Sequence, residues 1–333
     1  MSGSTSLPEI VLGTYLASAR GGTPLLLIAL VMIAAGLGFK IAAFPFHLWA
    51  PDTYEGAPAP AAAFIASVSK VASFALLISI SYAILRWPAM LHLKGGGVTF
   101  TASPAGTPQP PATVGFVPTW PMILMDLSVL SMIFGNLAAL AQSSVRRLLA
   151  YSAIAHAGYI LLGLAFFSWT NVSAQAILYY SVTYGLTAIG AFGVVGVVEH
   201  ATGSDKLDAF LGLHKRNPLL AAVLLVLFLS LAGIPPLIGF WAKFNLFAAV
   251  LRTSGGALPF TLVALAIAFS AVSLYYYLQV LKRAYVMPST DESPIRAHPV
   301  TLGVLIAIAA AVVVFGCFPA LLQNWIAGFY PAM

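Results

Sequence analysis

The stretch Ser230-Leu-Ala-Gly-Ile-Pro-Pro-Leu-Ile-Gly-Phe-Trp-Ala-Lys243 decides the fold, because it interrupts an apolar run that is otherwise long enough to cross a membrane. The run covers residues 218–251, well beyond the roughly 20 residues that a transmembrane helix needs. Pro235 and Pro236 remove two backbone donors and clash with the preceding helical turn. Such a break is tolerated in a bilayer only inside protein or beside a wet cavity. The sequence therefore predicts a discontinuous membrane helix.

The composition of the whole chain agrees with a membrane protein. Of its 333 residues, 60% are hydrophobic and 7% are charged, whereas soluble domains carry about 25% charged residues. This excludes a soluble enzyme, a nucleic-acid binder and a disordered scaffold. Cys317 is the single cysteine, so the chain alone offers no internal disulfide and too few thiolates for an iron–sulfur cluster or a cysteine-ligated zinc ion.

Eight apolar segments of suitable length predict an all-α fold, a polytopic transmembrane helical bundle of about eight spans. The segments are Pro24–Phe44, Ala59–Leu85, Pro121–Ala141, Leu148–Phe167, Ala174–Val198, Pro218–Leu251, Pro259–Leu281 and Pro299–Cys317.

The basic residues between these segments predict the orientation of the bundle. Alternate loops hold eight of them on one side and four on the other. The positive-inside rule places the richer side in the cytoplasm and both termini outside. The richer set is Arg146, Arg147, Lys206, Lys215, Arg216, Lys282, Arg283 and Arg296, and the poorer set is Arg20, Arg86, Lys94 and Arg252.

Three lysines, Lys40, Lys70 and Lys243, fall inside the apolar segments. A lysine at the centre of a bilayer costs about 2.5–3.5 kcal/mol on insertion scales. Snorkelling to the headgroups explains a lysine near the end of a span, as Lys40 is, but suits the other two poorly. The remaining interpretation is a proton relay through water-filled cavities.

His156 lies in the middle of the fourth segment. An unperturbed imidazole titrates near pH ~6.5, which suits proton transfer. A structural histidine that hydrogen-bonds a neighbouring helix is an equally good interpretation. Two interpretations are open for Tyr159 and Tyr184. Their hydroxyls extend a hydrogen-bonded path, or their rings only pack within the bundle.

The first cytoplasmic loop, residues 45–60, combines four prolines beginning at Pro45 with His47, Asp52 and Glu55. One histidine and two acids give weak support for a metal site, so the loop is interpreted as a rigid turn between two spans and no metal is expected. Glu199, at the cytoplasmic end of the fifth segment, is expected to be solvated.

Three stretches resemble the antiporter-like subunits of respiratory complex I, the bacterial NADH-quinone oxidoreductase. The Tyr54-Glu55-Gly56 and Ser69-Lys70 forms are closer to the N type than to the larger L and M types. The stretches are Gly38-Phe-Lys40 with Pro45 to Pro58 and Ser69-Lys70, then Arg147 to Tyr159, then Gly233 to Phe244.

The resemblance implies a fold of fourteen helices with two inverted five-helix repeats, of which the eight segments are the last eight. One repeat, with the discontinuous helix, is then complete and the other is partial. The expected division is an external N-terminal segment (1–22), the last two helices of the first repeat (23–85), a flexible external loop (86–120), the second repeat (121–281), and a cytoplasmic loop, C-terminal helix and tail (282–333). The chain is short for this fold, and three explanations are left open: a fragment, a misassigned start codon or a split gene.

The resemblance also implies a function. The family's proton-carrying lysines match Lys40, Lys70 and Lys243, while the carboxylate that pairs with the first lies on a helix outside this sequence. The implied role is a proton-translocating subunit in the bacterial inner membrane, driven by quinone reduction elsewhere in the complex. Its partners are other membrane subunits of complex I, lipid and protons; NADH, FMN, iron–sulfur clusters and quinone are bound by other subunits, and none by this chain. The alternatives are a subunit of a cation/proton antiporter or membrane-bound hydrogenase, and a structural membrane anchor.

Overall fold

A computed structural model describes residues 23–94, 97–100, 119–167, 171–253, 256–289 and 293–329. The predicted external segment 1–22 lies outside the described residues. In chain order the first half contains α1 (Thr23–Ile41), α2 (Trp49–Gly56), α3 (Ala59–Phe64), a π-helical turn (Ile65–Ser69), α4 (Lys70–Met90), β1 (Leu91–Lys94), β2 (Gly97–Phe100) and α5 (Thr119–Leu140).

In the second half, the secondary-structure elements of the described residues are helices joined by loops. This half contains α6 (Val145–Ala165), α7 (Asn171–Thr202), a 3₁₀ turn (Leu207–Phe210), α8 (Leu213–Arg216), α9 (Pro218–Ala232), α10 (Ile238–Thr253), α11 (Ala257–Tyr285), α12 (Pro299–Cys317) and α13 (Pro319–Phe329).

The all-α membrane bundle is confirmed. Among the described residues, six helices are long and apolar enough to cross a membrane. The shorter apolar helix within α1 and the broken pair α9 and α10 occupy the other two predicted segments. The eight predicted segments therefore all correspond to helices, and α3, the π turn and α4 together form the second one.

Helix α6 is the centre of the bundle. It is buried along nearly its whole length, and it packs against α5, α7, α2, α10 and α11. Glycines allow the closest approach, between α5 and α6. A Cβ atom on Gly135 would lie 2.6 Å from the backbone nitrogen of Ala155, and one on Gly158 would lie 2.8 Å from the carbonyl oxygen of Ser128.

The chain between the second and third segments differs from a featureless loop. Helix α4 continues to Met90, and β1 and β2 then form an antiparallel hairpin with Leu91 opposite Phe100. Residues 101–118 of the predicted loop lie outside the described residues. Helix α13, which follows the eighth span, was not predicted either.

The predicted break in the sixth segment is present, and the discontinuous helix of the predicted fold is confirmed. Gly233 ends α9 in a left-handed conformation with φ +87°, and α10 begins at Ile238. The Gly239 backbone N–H donates to Ser230 Oγ at 3.2 Å, which joins the two half-helices across the break. The Phe44–Pro45 and Pro235–Pro236 peptide bonds are cis.

Candidate functional site

Lys243 is buried beside the break. Its Nζ donates to Ala232 O at 2.9 Å and to Ser270 Oγ at 2.7 Å. Ala232 is the last residue of α9, so its carbonyl has no partner within that helix and lies at the negative end of the helix dipole. The break thus supplies an acceptor for the buried lysine. A Cβ atom on Gly233 would lie 2.9 Å from Lys243 Cδ, so a larger residue there would displace the lysine.

Lys70 is also buried, with 2% of its surface exposed. Its Nζ donates to the carbonyl oxygen of Ala153 on α6 at 2.8 Å. The π-helical turn Ile65–Ser69 comes directly before it. Turns of this kind are rare and occur frequently at functional sites, because the extra residue rotates the following side chains about the helix axis.

His156 lies one turn after Ala153 on the same helix and is 4% exposed. Its Nδ1 is 2.9 Å from the Tyr180 hydroxyl, and its Nε2 is 3.4 Å from the Tyr277 hydroxyl. Tyr277 in turn hydrogen-bonds Ser152. A small cavity beside His156, lined by Thr183, Thr187 and Ser230 among others, has room for about one water molecule.

A second polar cluster links α5, α6 and α11. Tyr276 donates to the side-chain oxygen of Asn136 at 3.2 Å, and Asn136 donates to the Tyr159 hydroxyl at 3.2 Å. The Lys243 ammonium lies 5.5 Å from the centre of the Tyr159 ring. That ring also meets His156 edge-on, with centroids 5.8 Å apart. His156 and Lys243 therefore both contact one polar layer organised by α6, and Lys70 reaches the same helix at the carbonyl oxygen of Ala153.

Lys40 lies apart from this layer. It is in the last turn of α1, and its side chain is exposed. Within the described residues it makes no hydrogen bond or ion pair. The structure thus brings together three of the four predicted relay residues and leaves Lys40 outside the group.

Several members of the polar layer were missed in the sequence, namely Asn136, Ser152, Tyr180, Ser270, Tyr276 and Tyr277. A usable signal exists, because polar side chains within an apolar span face the protein interior rather than lipid. Ser128, Ser131 and Asn136 in α5 share this property and are fully buried.

The loop between the first two predicted spans, residues 45–60, is built around two arginines. Arg146 donates to the carbonyl oxygens of Glu55 and Ala57 at 2.9 and 2.7 Å and forms an ion pair with Glu199 at 2.6 Å. Arg147 forms ion pairs with Asp52 at 2.6 Å and Glu55 at 2.9 Å. The expectation that Glu199 is simply solvated is wrong, since the buried Arg146 guanidinium needs a counter-charge.

The same loop contains a short helix, α2, and is not only a turn. Pro45 lies in the connection from α1 to α2, and His47 after it is buried. Burial lowers the pKa of the His47 imidazole, against a smaller opposing effect of a backbone hydrogen bond at Pro45. No group of three His, Cys, Asp or Glu residues within the described part of the chain is placed to hold a metal ion.

The sequence profile of the NADH:quinone oxidoreductase/Mrp antiporter transmembrane family matches residues 1–94 and 109–270. The chain belongs to this family. NADH-quinone oxidoreductase subunit N 2 of Acidobacterium capsulatum is 47% identical over 330 residues, which cover 98% of this chain and 61% of that protein. Subunit N 1 of Roseiflexus castenholzii is 42% identical, and the match covers 94% of this chain and 55% of that one.

Solved structures agree with this membership of the family. A chain of respiratory complex I from Thermus thermophilus with bound aureothin matches with a TM-score of 0.70 and 34% identity, over 96% of this chain and 66% of that chain. A chain of the membrane-bound sulfane sulfur reductase, an archaeal respiratory membrane complex, matches with a TM-score of 0.74 and 23% identity, over 96% and 62%, which shows the fold alone.

The comparisons confirm the resemblance to the antiporter-like subunits, and to subunit N among them. With the apolar helices, they make this chain a multi-pass membrane protein of that family. The chain spans about 61% and 55% of the length of these two relatives.

Proposed function

We propose that this chain is a proton-translocating membrane subunit of an NADH-quinone oxidoreductase. Lys70, His156 and Lys243 carry the protons, with Lys40 at one end of the path. The observation that supports this most strongly is the burial of two lysines and a histidine around α6. Each lysine ammonium has neutral acceptors around it, so neither proton is held by a carboxylate within the described residues.

The proposed path runs between the two lysines through α6. A proton on Lys70 is passed to His156 through the Ser152 and Tyr277 hydroxyls and bound water, and from His156 to Lys243. Hydroxyl groups and water both donate and accept, so each step can restore its donor. The water that completes the path occupies the cavity beside His156.

The wider role rests on the named relatives. Quinone reduction in other subunits drives the transfer, and NADH, FMN, iron–sulfur clusters and quinone are bound there, not by this chain. The partners are other membrane subunits of complex I, in the bacterial inner membrane, with both ends of the chain outside. The division into a partial repeat (23–85) and a complete repeat (121–281) belongs to the same proposal.

A second candidate is a subunit of a cation/proton antiporter, because the matching family includes the Mrp antiporters. The same lysines serve either role. A structural anchor is the weakest alternative, since an anchor gains nothing from two lysines whose burial is costly.

Lys243→Ala tests the proposal in membranes of cells that carry the complete gene. NADH-driven acidification of inverted vesicles is expected to fall to a small fraction of the wild-type rate, while the amount of assembled complex is unchanged. Lys282→Ala, at an exposed position near the end of α11, is the matched control and should pump normally. Normal pumping by Lys243→Ala contradicts the relay. Sodium-driven proton exchange by the chain in liposomes, without NADH, would favour the antiporter.

A further inference from the structure

An apolar groove opens on the side of the bundle, between three elements. It is bounded by α3 with the π turn, by α7 and by α12, and it has a volume of about 670 Å³. Its walls carry Ala63, Phe64, Val68, Ile189, Val304 and Ile308. Phe64, Val68 and Val304 are 58, 49 and 54% exposed, so the groove is open at the surface of the described bundle rather than sealed within it.

One end of the groove carries a positive charge, on Arg296, and also presents two histidines. Arg296, His200 and His298 line it, and all three are exposed. Helix α12 starts at the same end, and its N-cap residue His298 makes no side-chain capping hydrogen bond, so the first turn contributes partial positive charge. No Asp or Glu is among the described residues that line the groove. Glu199, next to His200 in sequence, is paired with Arg146.

The length of the groove matches one leaflet of the bilayer. Along α7 it runs from His200 to Ile189, and along α12 from His298 to Ile308. At 1.5 Å per residue each wall is roughly 15 Å long, which is half of the ~30 Å hydrocarbon core. A transmembrane helix of another protein would need a surface along both leaflets, whereas an acyl chain needs only one.

We propose that this groove is a binding site for an anionic phospholipid. The phosphate lies at Arg296 and His298, and an acyl chain follows α7 and α12 towards the membrane centre. Basic pockets between helices at the membrane interface are suited to such headgroups. Ser67 of the π turn also lines the groove, so the lipid packs against the turn that comes directly before Lys70. The site requires only that the helices cross the membrane, and it is independent of the transport role.

The experiment uses the full chain in vesicles of phosphatidylcholine that contain a trace of phosphatidylglycerol with a photoreactive acyl chain. After illumination, labelled peptides are identified by mass spectrometry. Label is expected in α3, α7 and α12. Arg296→Gln should lower the labelling of these peptides about fivefold, the effect of about one basic residue at an interface. Lys215→Gln, an exposed lysine outside the groove, should leave it unchanged.

A second pair of variants tests the apolar wall. Val304→Trp fills the groove and should abolish labelling, while Val314→Trp, at an exposed position of the same helix that does not line the groove, should not. Equal labelling by photoreactive phosphatidylcholine and phosphatidylglycerol would overturn the selectivity for anionic lipid. Competition by millimolar inorganic phosphate would show a soluble-anion site instead. The same labelling is repeated on the assembled complex. If α7 and α12 are labelled in the isolated chain but not in the complex, a protein partner covers the groove and the lipid site is overturned.

Discussion

Lys70 and Lys243 are stabilised by different kinds of backbone carbonyl. Lys243 binds the carbonyl of Ala232 at the end of a half-helix, which has no helical partner of its own. Lys70 binds that of Ala153 within the continuous helix α6, whose carbonyls already accept helical hydrogen bonds. The break therefore offers the better acceptor. On this basis we expect Lys243 to be held more firmly than Lys70, whose side chain is the freer of the two to reorient.

His156→Phe tests whether the histidine relays protons or only packs. Phenylalanine keeps the ring but removes both nitrogens that face Tyr180 and Tyr277. Proton pumping in inverted vesicles is expected to fall by more than half with the complex still assembled. His214→Gln, which changes a histidine near the ends of α8 and α11, is the control. If pumping by His156→Phe stays normal, the histidine has a structural role.

At this scale the sequence predicts which residues are out of place in a membrane, but not which of them meet. Lys70, His156 and Lys243 stand out because an ionisable side chain within a membrane span is costly in free energy. The exposure of the Lys40 side chain depends on which helices pack against α1, and the types of residue in the sequence do not reveal that packing. The tyrosines of the polar layer were missed because a tyrosine within a span is compatible with simple packing.

Among the elements, α2 connects the first segment to the centre of the bundle. Arg146 holds its carboxyl end through two backbone carbonyls, and the pair with Glu199 adds a contact to α7. Three elements thus meet at one guanidinium. Because arginine presents five donors in a planar fork, lysine would not replace it.

Arg146→Met should lower the free energy of unfolding by about 2 kcal/mol. Removing one partner of a fully buried ion pair costs about 3–5 kcal/mol, and Glu199 is 33% exposed, which reduces the loss. The measurement is thermal unfolding of the purified chain in detergent. Arg147→Met, whose partner Asp52 is 76% exposed, should cost less than about 1 kcal/mol. Equal losses for the two variants would show that burial of Arg146 does not matter.

The position of a helix end could be predicted where the residues at that end determine it by themselves. Two adjacent prolines in the interior of an apolar run interrupt a helix, so the break between α9 and α10 follows from the sequence. The π turn before Lys70 was not predictable, because Ile65–Ser69 contains no residue that forbids an α-helix. The turn and the helices on either side of it, α3 and α4, all pack against α7, a tertiary contact that the local sequence does not report.

For the whole molecule, the eight helical segments and their alternating loops predict a topology that can be tested directly. In a Cys317→Ser background, Lys206→Cys should react with a membrane-impermeant maleimide only in inverted vesicles, and Asn324→Cys only in intact spheroplasts. Both positions are exposed. The asymmetry of basic residues places them on opposite sides. Labelling with the opposite pattern would show that the predicted orientation is reversed. Labelling of both positions from one side would show that the number of spans between them is wrong.

The break between α9 and α10 also constrains how the chain enters the membrane during synthesis. Each half-helix, of 15 and 16 residues, is about 22–24 Å long and falls short of the ~30 Å hydrocarbon core. Neither half is a self-sufficient insertion unit, and α10 also carries Lys243. The two halves are therefore expected to enter the bilayer together. The backbone of the break at residues 236–238 packs against Gly316 near the end of α12, so it is covered only once that later helix has arrived. Biogenesis of the chain thus depends on the order in which its helices arrive.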